Sequence, residues 1–209
     1  TPVSAYLKIA KNRPYAFLFE SVQGGEQRGR FSFIGFSPDL IWRSFGDASE
    51  IARGTKAVAD GTFAPLSGKP LDTLRAVQAQ CAFTLPDGIP PMAAGLFGYL
   101  GYEMVRHVEH LPSANPDPIQ TPDAIMTRPT IVAIFDQIAQ EIIISSPVHP
   151  DEFSADDAYD RAVSRITAVR QDLSLPAQGG ALTDRAMPAL NPKLGTTETA
   201  FCSRVEKAK

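Results

Sequence analysis

Proline is the residue that most constrains the fold of this chain. There are 18 prolines among 209 residues, well above the usual frequency of about 5%. Proline lacks a backbone N–H and has a fixed φ, so it interrupts helices and central strands alike. The prolines therefore divide the chain into short elements joined by loops, which favours a loop-rich fold that contains β-strands.

The apolar pattern of residues 14–46 is typical of β-structure. A glycine-rich loop and the segment Ser37-Pro38-Asp39 separate the apolar or aromatic runs, which predicts a three-stranded meander. Pro129 predicts a β-bulge or an edge position. The strands predicted in the meander and further along the chain cover residues 16–22, 31–36, 40–45, 50–53, 124–136 and 141–146.

Helical periodicity appears in three other places. Apolar residues recur every three or four positions over 70–83, and Thr197 is placed to cap a helix that reaches the last residue. Ser154 and Asp157 form a capping box at the start of a helix over 154–173. A strand followed by a helix is predicted over 95–107. Together these elements predict an α+β fold with helices on the outer faces.

Composition excludes several classes of protein. The chain is 44% hydrophobic and 21% charged, with a net charge of −3. These values are typical of a globular protein and argue against a dedicated nucleic-acid binder. No apolar run approaches the roughly 20 residues of a membrane-spanning helix, and residues 1–11 lack the apolar core of a signal peptide. Cys81 and Cys202 form no metal or disulfide pattern, so we expect a protein of the reducing cytoplasm. The lack of a long apolar run predicts that it has no membrane partner.

The spacing of two other sets of residues argues against a metal site and against a nucleotide-binding loop. His107 and His110 are three positions apart and His149 is distant, so no third ligand for a metal is evident. Gly95, Gly98 and Gly101 match neither the dinucleotide fingerprint nor a Walker A loop. Close packing of backbone in a tight bend is the favoured interpretation of these glycines.

Glu20 and Ser21 follow an apolar run and precede a glycine loop that carries Arg28 and Arg30. A carboxylate and a hydroxyl can hold an ammonium group, and an arginine can hold a carboxylate. These residues are therefore complementary to a free amino acid. A surface salt bridge is the alternative, and composition alone favours it.

Four segments together resemble the N-terminal part of the anthranilate synthase component I family. The most specific is FLFESVQGGEQRGRFSFIGFSP at 17–38, which has the family's Glu-Ser pair, glycine loop and Arg-Phe-Ser-Phe-Ile-Gly run. GLFGYLGYEMVR at 95–106 and residues 123–136 resemble two further signatures. FCSRVEKAK at 201–209 resembles the start of the family's chorismate-binding domain.

The resemblance implies that the full protein converts chorismate and ammonia to anthranilate and pyruvate, the first committed step of tryptophan synthesis. It implies Mg²⁺ as cofactor and a glutamine amidotransferase subunit as the partner that supplies ammonia. In the family, the catalytic and metal-binding residues lie in the C-terminal half, so none is expected in this chain. We accordingly expect a regulatory domain over 1–175, a linker over 176–196 and the truncated start of the catalytic domain over 197–209, inactive without the rest.

The family's N-terminal half carries most of a tryptophan feedback site, in a largely antiparallel β-sandwich with helices on its outer faces. The Glu20–Ser21 pair would hold the amino group of tryptophan, an arginine its carboxylate, and Phe31 would line the indole pocket. The residues that match this regulatory site are Phe19, Glu20, Ser21, Arg28, Arg30 and Phe31.

Two other functions stay open at this stage. The related aminodeoxychorismate synthase component I shares the layout more loosely, and the product of the full-length protein would separate the two. The other is a stand-alone amino-acid-binding module without chemistry, which tryptophan binding by the isolated chain would support.

Overall fold

The chain forms two compact units, Thr1–Ala177 and Gln178–Lys209. The second contains one described helix, whose first turn is capped by Thr197, as the sequence predicts. The domain boundaries predicted from the sequence stay predictions. The computed structural model describes residues 1–20, 29–82, 84–112, 116–149, 154–176 and 195–209.

A seven-stranded antiparallel sheet organises the first unit. The strand order is β4-β3-β2-β6-β5, with β1 also paired to β2 and β7 also paired to β6. This confirms the predicted α+β class with an antiparallel sheet. The described residues supply a single sheet, and the second layer of a sandwich stays a prediction. The strands are β1 (Phe17–Phe19), β2 (Phe31–Phe45), β3 (Ala48–Arg53), β4 (Ala64–Leu66), β5 (Phe97–Leu100), β6 (Ala124–Asp136) and β7 (Glu141–Ser145).

The two strands predicted over 31–36 and 40–45 are one strand, β2, so the three-stranded meander is wrong. A shift in the β2–β6 register between Pro38 and Leu40 accommodates the Ser-Pro-Asp segment as a bulge. The residue left out of the register is Asp39, next to Pro38, and Pro38 pairs opposite another proline, Pro129. Pro129 of β6 thus lies beside this bulge, and on its other side β6 pairs with β5 only as far as Thr127 and with β7 only from Val132. In the described residues Pro129 therefore both adjoins the bulge and has no partner strand on its outer side, so both predicted positions are observed.

The described residues contain five α-helices, four in the first unit and one in the second. The predicted helix over 154–173 is observed, and the Ser154 hydroxyl accepts a hydrogen bond of 3.2 Å from the N–H of Asp157. The predicted strand and helix over 95–107 are β5 and a 3₁₀ helix, Tyr102–His107. None of the described helices is long and apolar enough to cross a membrane. The α-helices are α1 (Pro2–Ile9), α2 (Thr55–Asp60), α3 (Pro70–Gln80), α4 (Ala155–Ser174) and α5 (Glu198–Ala208).

Helices α1 and α4 cover one side of the sheet. Ile34 and Phe36 of β2 are at most 2% exposed there, packed with residues of both helices such as Ile9 and Val169. Lys8 links the two helices because its ammonium group donates to the carbonyls of Leu173, at 2.9 Å, and Leu175. These carbonyls at the C-terminal end of α4 would otherwise lack partners.

A second cluster lies between α3 and the middle of the sheet. Trp42 is fully buried beside Leu40 and Val77. Its indole N–H donates to the hydroxyl of Thr73 at 3.1 Å, and the Thr73 hydroxyl donates in turn to the Pro70 carbonyl at 2.9 Å. The buried polar atoms of this cluster are therefore paired, which avoids the cost of burying them unsatisfied.

Candidate functional site

The predicted amino-acid site lies at the end of β1. This strand pairs antiparallel with β2, with Phe17 opposite Gly35 and Phe19 opposite Phe33. Glu20 is the first residue after the strand, and it is exposed. The register brings the end of β1 beside the start of β2, where Phe31 lies. Two elements that are separated by a loop in the sequence thus meet at one end of the sheet.

Four phenylalanine rings form a cluster beside this end of the sheet. The ring centroid of Phe19 lies 4.8 Å from that of Phe17 and 5.4 Å from that of Phe33, the latter in an edge-to-face arrangement. Phe97 of β5 lies 5.2 Å from Phe17 and 5.6 Å from Phe33. Such aromatic pairs are favourable beyond the area they bury. Phe19 nevertheless keeps 41% of its surface exposed, so its ring is available to a ligand.

Gly35 makes this aromatic arrangement possible. A Cβ atom at this position would lie 2.3 Å from the ring of Phe17, closer than any packed pair of carbon atoms. The absence of a side chain at Gly35 lets the Phe17 ring lie directly over the β2 backbone. Gly35 therefore allows β1, the strand that carries Phe19, to lie in its observed position against β2.

Arg30 forms a paired salt bridge with Asp136. Its Nε lies 3.0 and 3.1 Å from the two carboxylate oxygens, and its Nη2 lies 2.6 Å from Oδ2. The carboxylate also accepts hydrogen bonds from the N–H groups of Ile138 and Ala139. The Arg30 guanidinium, helped by these two N–H groups, lowers the pKa of Asp136 to about 2. A ligand carboxylate would have to compete with Asp136 for Arg30.

Arg30 also lies over the ring of Phe31, with the guanidinium carbon 4.7 Å from the ring centroid. Phe31 is half-buried and packs against the cluster that contains Val132 and Ile134. Of the six predicted site residues, the structure thus brings Phe19, Glu20, Arg30 and Phe31 to the same end of the sheet. Ser21 and Arg28 lie outside the described residues. The assignment of all six to a tryptophan site stays a prediction.

Two of the three glycines spaced by three residues show the predicted close packing of backbone. A Cβ atom at Gly98 would lie 1.8 Å from the carbonyl oxygen of Ile125, and one at Gly101 would lie 2.7 Å from that of Asp123. Gly95 instead has a φ of +129°, a conformation that residues with side chains rarely adopt. The described residues contain no group of three or more potential ligands for a metal ion.

A cavity that the sequence did not suggest lies elsewhere in the first unit. It has a volume of about 610 Å³ and shares no lining residue with the predicted amino-acid site. Arginines from three elements line it, so local sequence patterns could not bring them together. The one local signal was the spacing of Arg161 and Arg165, which places both on the same side of α4.

The sequence of the chain is similar to curated proteins along its whole length. It is 42% identical over 220 residues to the protein named anthranilate synthase component 1 in Cereibacter sphaeroides, covering 100% of this chain and 42% of that protein. For the protein of the same name in Synechocystis, the identity is 34%, again with 100% and 42% covered. For that of Thermus thermophilus, it is 36% over 162 residues, covering 74% and 31%.

The chain belongs to the anthranilate synthase component I family. It spans less than half the length of the curated relatives it matches. The crystal structure of anthranilate synthase component I from Streptococcus pneumoniae has the same fold, with a TM-score of 0.56, 18% identity and coverage of 85% of this chain and 35% of that one. No family model matches the chain.

Proposed function

We propose that the protein containing this chain is component I of an anthranilate synthase, a carbon–oxygen lyase of the cytoplasm that converts chorismate and ammonia to anthranilate and pyruvate. The similarity of the entire chain to proteins named anthranilate synthase component 1 carries this proposal. The relatives compared above all have this name, which favours anthranilate over aminodeoxychorismate as the product.

In this proposal, chorismate and Mg²⁺ bind to the part of the protein that the relatives have in addition to this region. The catalytic residues are expected in that same part of the protein, so we assign no catalytic step to the described residues. A glutamine amidotransferase subunit, component II, supplies ammonia. The 209 residues alone are expected to be inactive.

The role proposed for this region is feedback inhibition by L-tryptophan. The exposed carboxylate of Glu20 would bind the ammonium group with help from Ser21, and the partly exposed ring of Phe19 would contact the indole. Because Arg30 is engaged by Asp136, a ligand carboxylate would compete with Asp136 for it, and Arg28 is the other arginine proposed for this role. Tryptophan would inhibit by favouring an arrangement of the protein that binds chorismate poorly, with a coupling of about 1–3 kcal/mol.

The activity is tested by expressing the complete reading frame and following anthranilate fluorescence with chorismate, Mg²⁺ and ammonium as substrates. Formation of anthranilate and pyruvate in equal amounts is the expected result. Accumulation of aminodeoxychorismate, or no consumption of chorismate by a folded protein, would show that the proposed activity is wrong.

The regulatory site is tested separately in the same protein. Ser21→Ala and Glu20→Gln should raise the tryptophan concentration needed for half-inhibition by about tenfold or more, because each removes a hydrogen bond to a charged group. Glu109→Gln is the matched control, since Glu109 is also an exposed carboxylate but lies outside the site. If Ser21→Ala leaves tryptophan inhibition unchanged, the site is wrongly assigned.

A further inference from the structure

The cavity of about 610 Å³ is built around the bulge in β2. Asp39, the residue that the bulge leaves out of the β2–β6 register, lines it. Bulges commonly redirect a side chain in this way. The other walls come from the end of β3, the middle of β6, the segment after β7 and the part of α4 over 158–165, including the buried Ala158. Its volume lies in the usual range for small-molecule sites, about 300–1,000 Å³.

Positive charge dominates the lining of the cavity. Four arginines contribute to it, against one carboxylate, that of Asp39, among the described lining residues. Arg128 already engages this carboxylate, with its Nε 2.7 Å from Oδ1 and its Nη2 3.2 Å from Oδ2. The Arg128 side chain is only 8% exposed. The arginines of the lining are Arg53, Arg128, Arg161 and Arg165.

Two of these guanidinium groups have neutral hydrogen-bond partners. The Nε of Arg165 donates to the hydroxyl of Ser146 at 3.1 Å, and the Nη2 of Arg53 donates to the side-chain oxygen of Gln80 at 2.7 Å. Arg165 is half-buried, and burial is the main cause that lowers its pKa; the charge of Asp39 opposes this effect and the charge of Arg161 adds to it. A partly dehydrated cation is stabilised when an anion approaches it.

We propose that this cavity binds a small oxyanion carrying two or more negative charges, with Arg53 and Arg165 as its main ligands. Guanidinium groups are suited to this role because their planar N–H groups match the oxygens of carboxylate and phosphate in pairs. The site is separate from the proposed tryptophan site and does not depend on the proposed catalytic activity. Phosphate and polycarboxylate share the required chemistry, and the two probes below distinguish them.

The test is isothermal titration calorimetry of the complete protein at low ionic strength, with inorganic phosphate and with citrate as separate probes. We expect at least one probe to bind to a single site. Arg165→Gln and Arg53→Gln should each weaken that binding by about tenfold or more, as expected for loss of a charged hydrogen bond. Arg75→Gln removes the same charge from an exposed pair on α3 and should change the affinity by less than about twofold.

The design keeps the outcome decisive even if one variant does not fold. Arg53 is exposed, so Arg53→Gln should fold. It therefore still tests the site if circular dichroism shows that Arg165→Gln is unfolded. The proposal is overturned if neither probe binds, or if Arg75→Gln weakens binding as much as Arg53→Gln does. Anthranilate formation and tryptophan inhibition are measured on the same samples, so a failure of the proposed function is recognised independently.

Discussion

The two sides of β2 near its first residues show very different degrees of coverage. On one side, Ile34 and Phe36 are at most 2% exposed beneath α1 and α4. On the other, Phe33 packs in a cluster of phenylalanine rings that leaves Phe19 41% exposed. The aromatic side also has a fully buried part, where Val132 and Ile134 pack with Phe33. The difference therefore concerns the end of β1, where the ring of Phe19 stays partly exposed.

The buried residues and the exposed residues are expected to serve different roles, the first in folding and the second in ligand binding. The helix-covered side buries its apolar groups within the chain, and such burial is the main favourable term in folding. At the end of β1, Phe19 has a partly exposed ring on the aromatic side, and Glu20, the next residue, is exposed. We therefore expect substitutions on the first side to affect mainly unfolding and substitutions on the second to affect mainly ligand binding.

Phe36→Ala should give the largest loss of stability. Removing a ring that is 2% exposed leaves a cavity under α1 and α4, with an expected cost of about 3–5 kcal/mol in the free energy of unfolding. Urea denaturation followed by circular dichroism measures it. A cost below that of Phe19→Ala would contradict the comparison of the two sides.

Gly35→Ala should come second, because the added methyl group collides with the ring of Phe17. Overpacking of this kind costs about 1–3 kcal/mol. A double-mutant cycle with Phe17→Ala tests the cause, since removing the ring should relieve the collision and make the two effects less than additive. Strict additivity would mean that the close approach is not the reason.

Asp136→Asn should change how the free energy of unfolding depends on pH. The pKa of Asp136 is lowered to about 2, whereas an unpaired aspartate titrates near about 3.9. Its contribution to stability is therefore fully present above about pH 4 and is lost as the pH falls towards 2. Urea midpoints across this range should fall less steeply in the variant than in the wild type. Asp72→Asn, at an exposed pair, should leave the slope unchanged.

Phe19→Ala should have the smallest effect on stability, about 1 kcal/mol, because the ring is already partly exposed and loses mainly its contacts with Phe17 and Phe33. Under the proposed function, it should nevertheless weaken inhibition by tryptophan. Comparing the urea midpoint with the tryptophan concentration for half-inhibition separates the two effects. A large loss of stability with normal inhibition would reverse the roles assigned to the two sides.

The elements with strong local signals were predictable from the sequence. Helix α4 begins at the capping box Ser154–Asp157, and β6 and β7 match their apolar runs. The short elements α1, α2 and β4 were not predicted. For α1, the signals were present, since Thr1 caps the helix and Pro2 occupies its first turn, but eight residues carry little periodicity. Continuity of β2 through Pro38 depends on pairing with β6, which no local pattern reveals.

The candidate site was predictable to a similar extent. The Glu-Ser pair after an apolar run correctly placed Glu20 at the end of a strand. The salt bridge between Arg30 and Asp136 joins residues 106 positions apart, so the engagement of Arg30 could not be foreseen. The arginines of the cavity come from β3, β6 and α4 and are likewise brought together only by the tertiary structure.

The long antiparallel pairing of β2 with β6 also determines the order in which this region can fold. The first residue of β2 pairs with the last of β6, Phe31 with Asp136, so the centre of the sheet cannot form until most of the unit has been synthesised. The β2–β3 hairpin joins neighbouring strands and can form much earlier on the ribosome. Closing long loops slows folding. The emerging chain would therefore expose the apolar side chains and the unpaired edge of β2 until β6 has been synthesised. It would be most prone to aggregate during that interval.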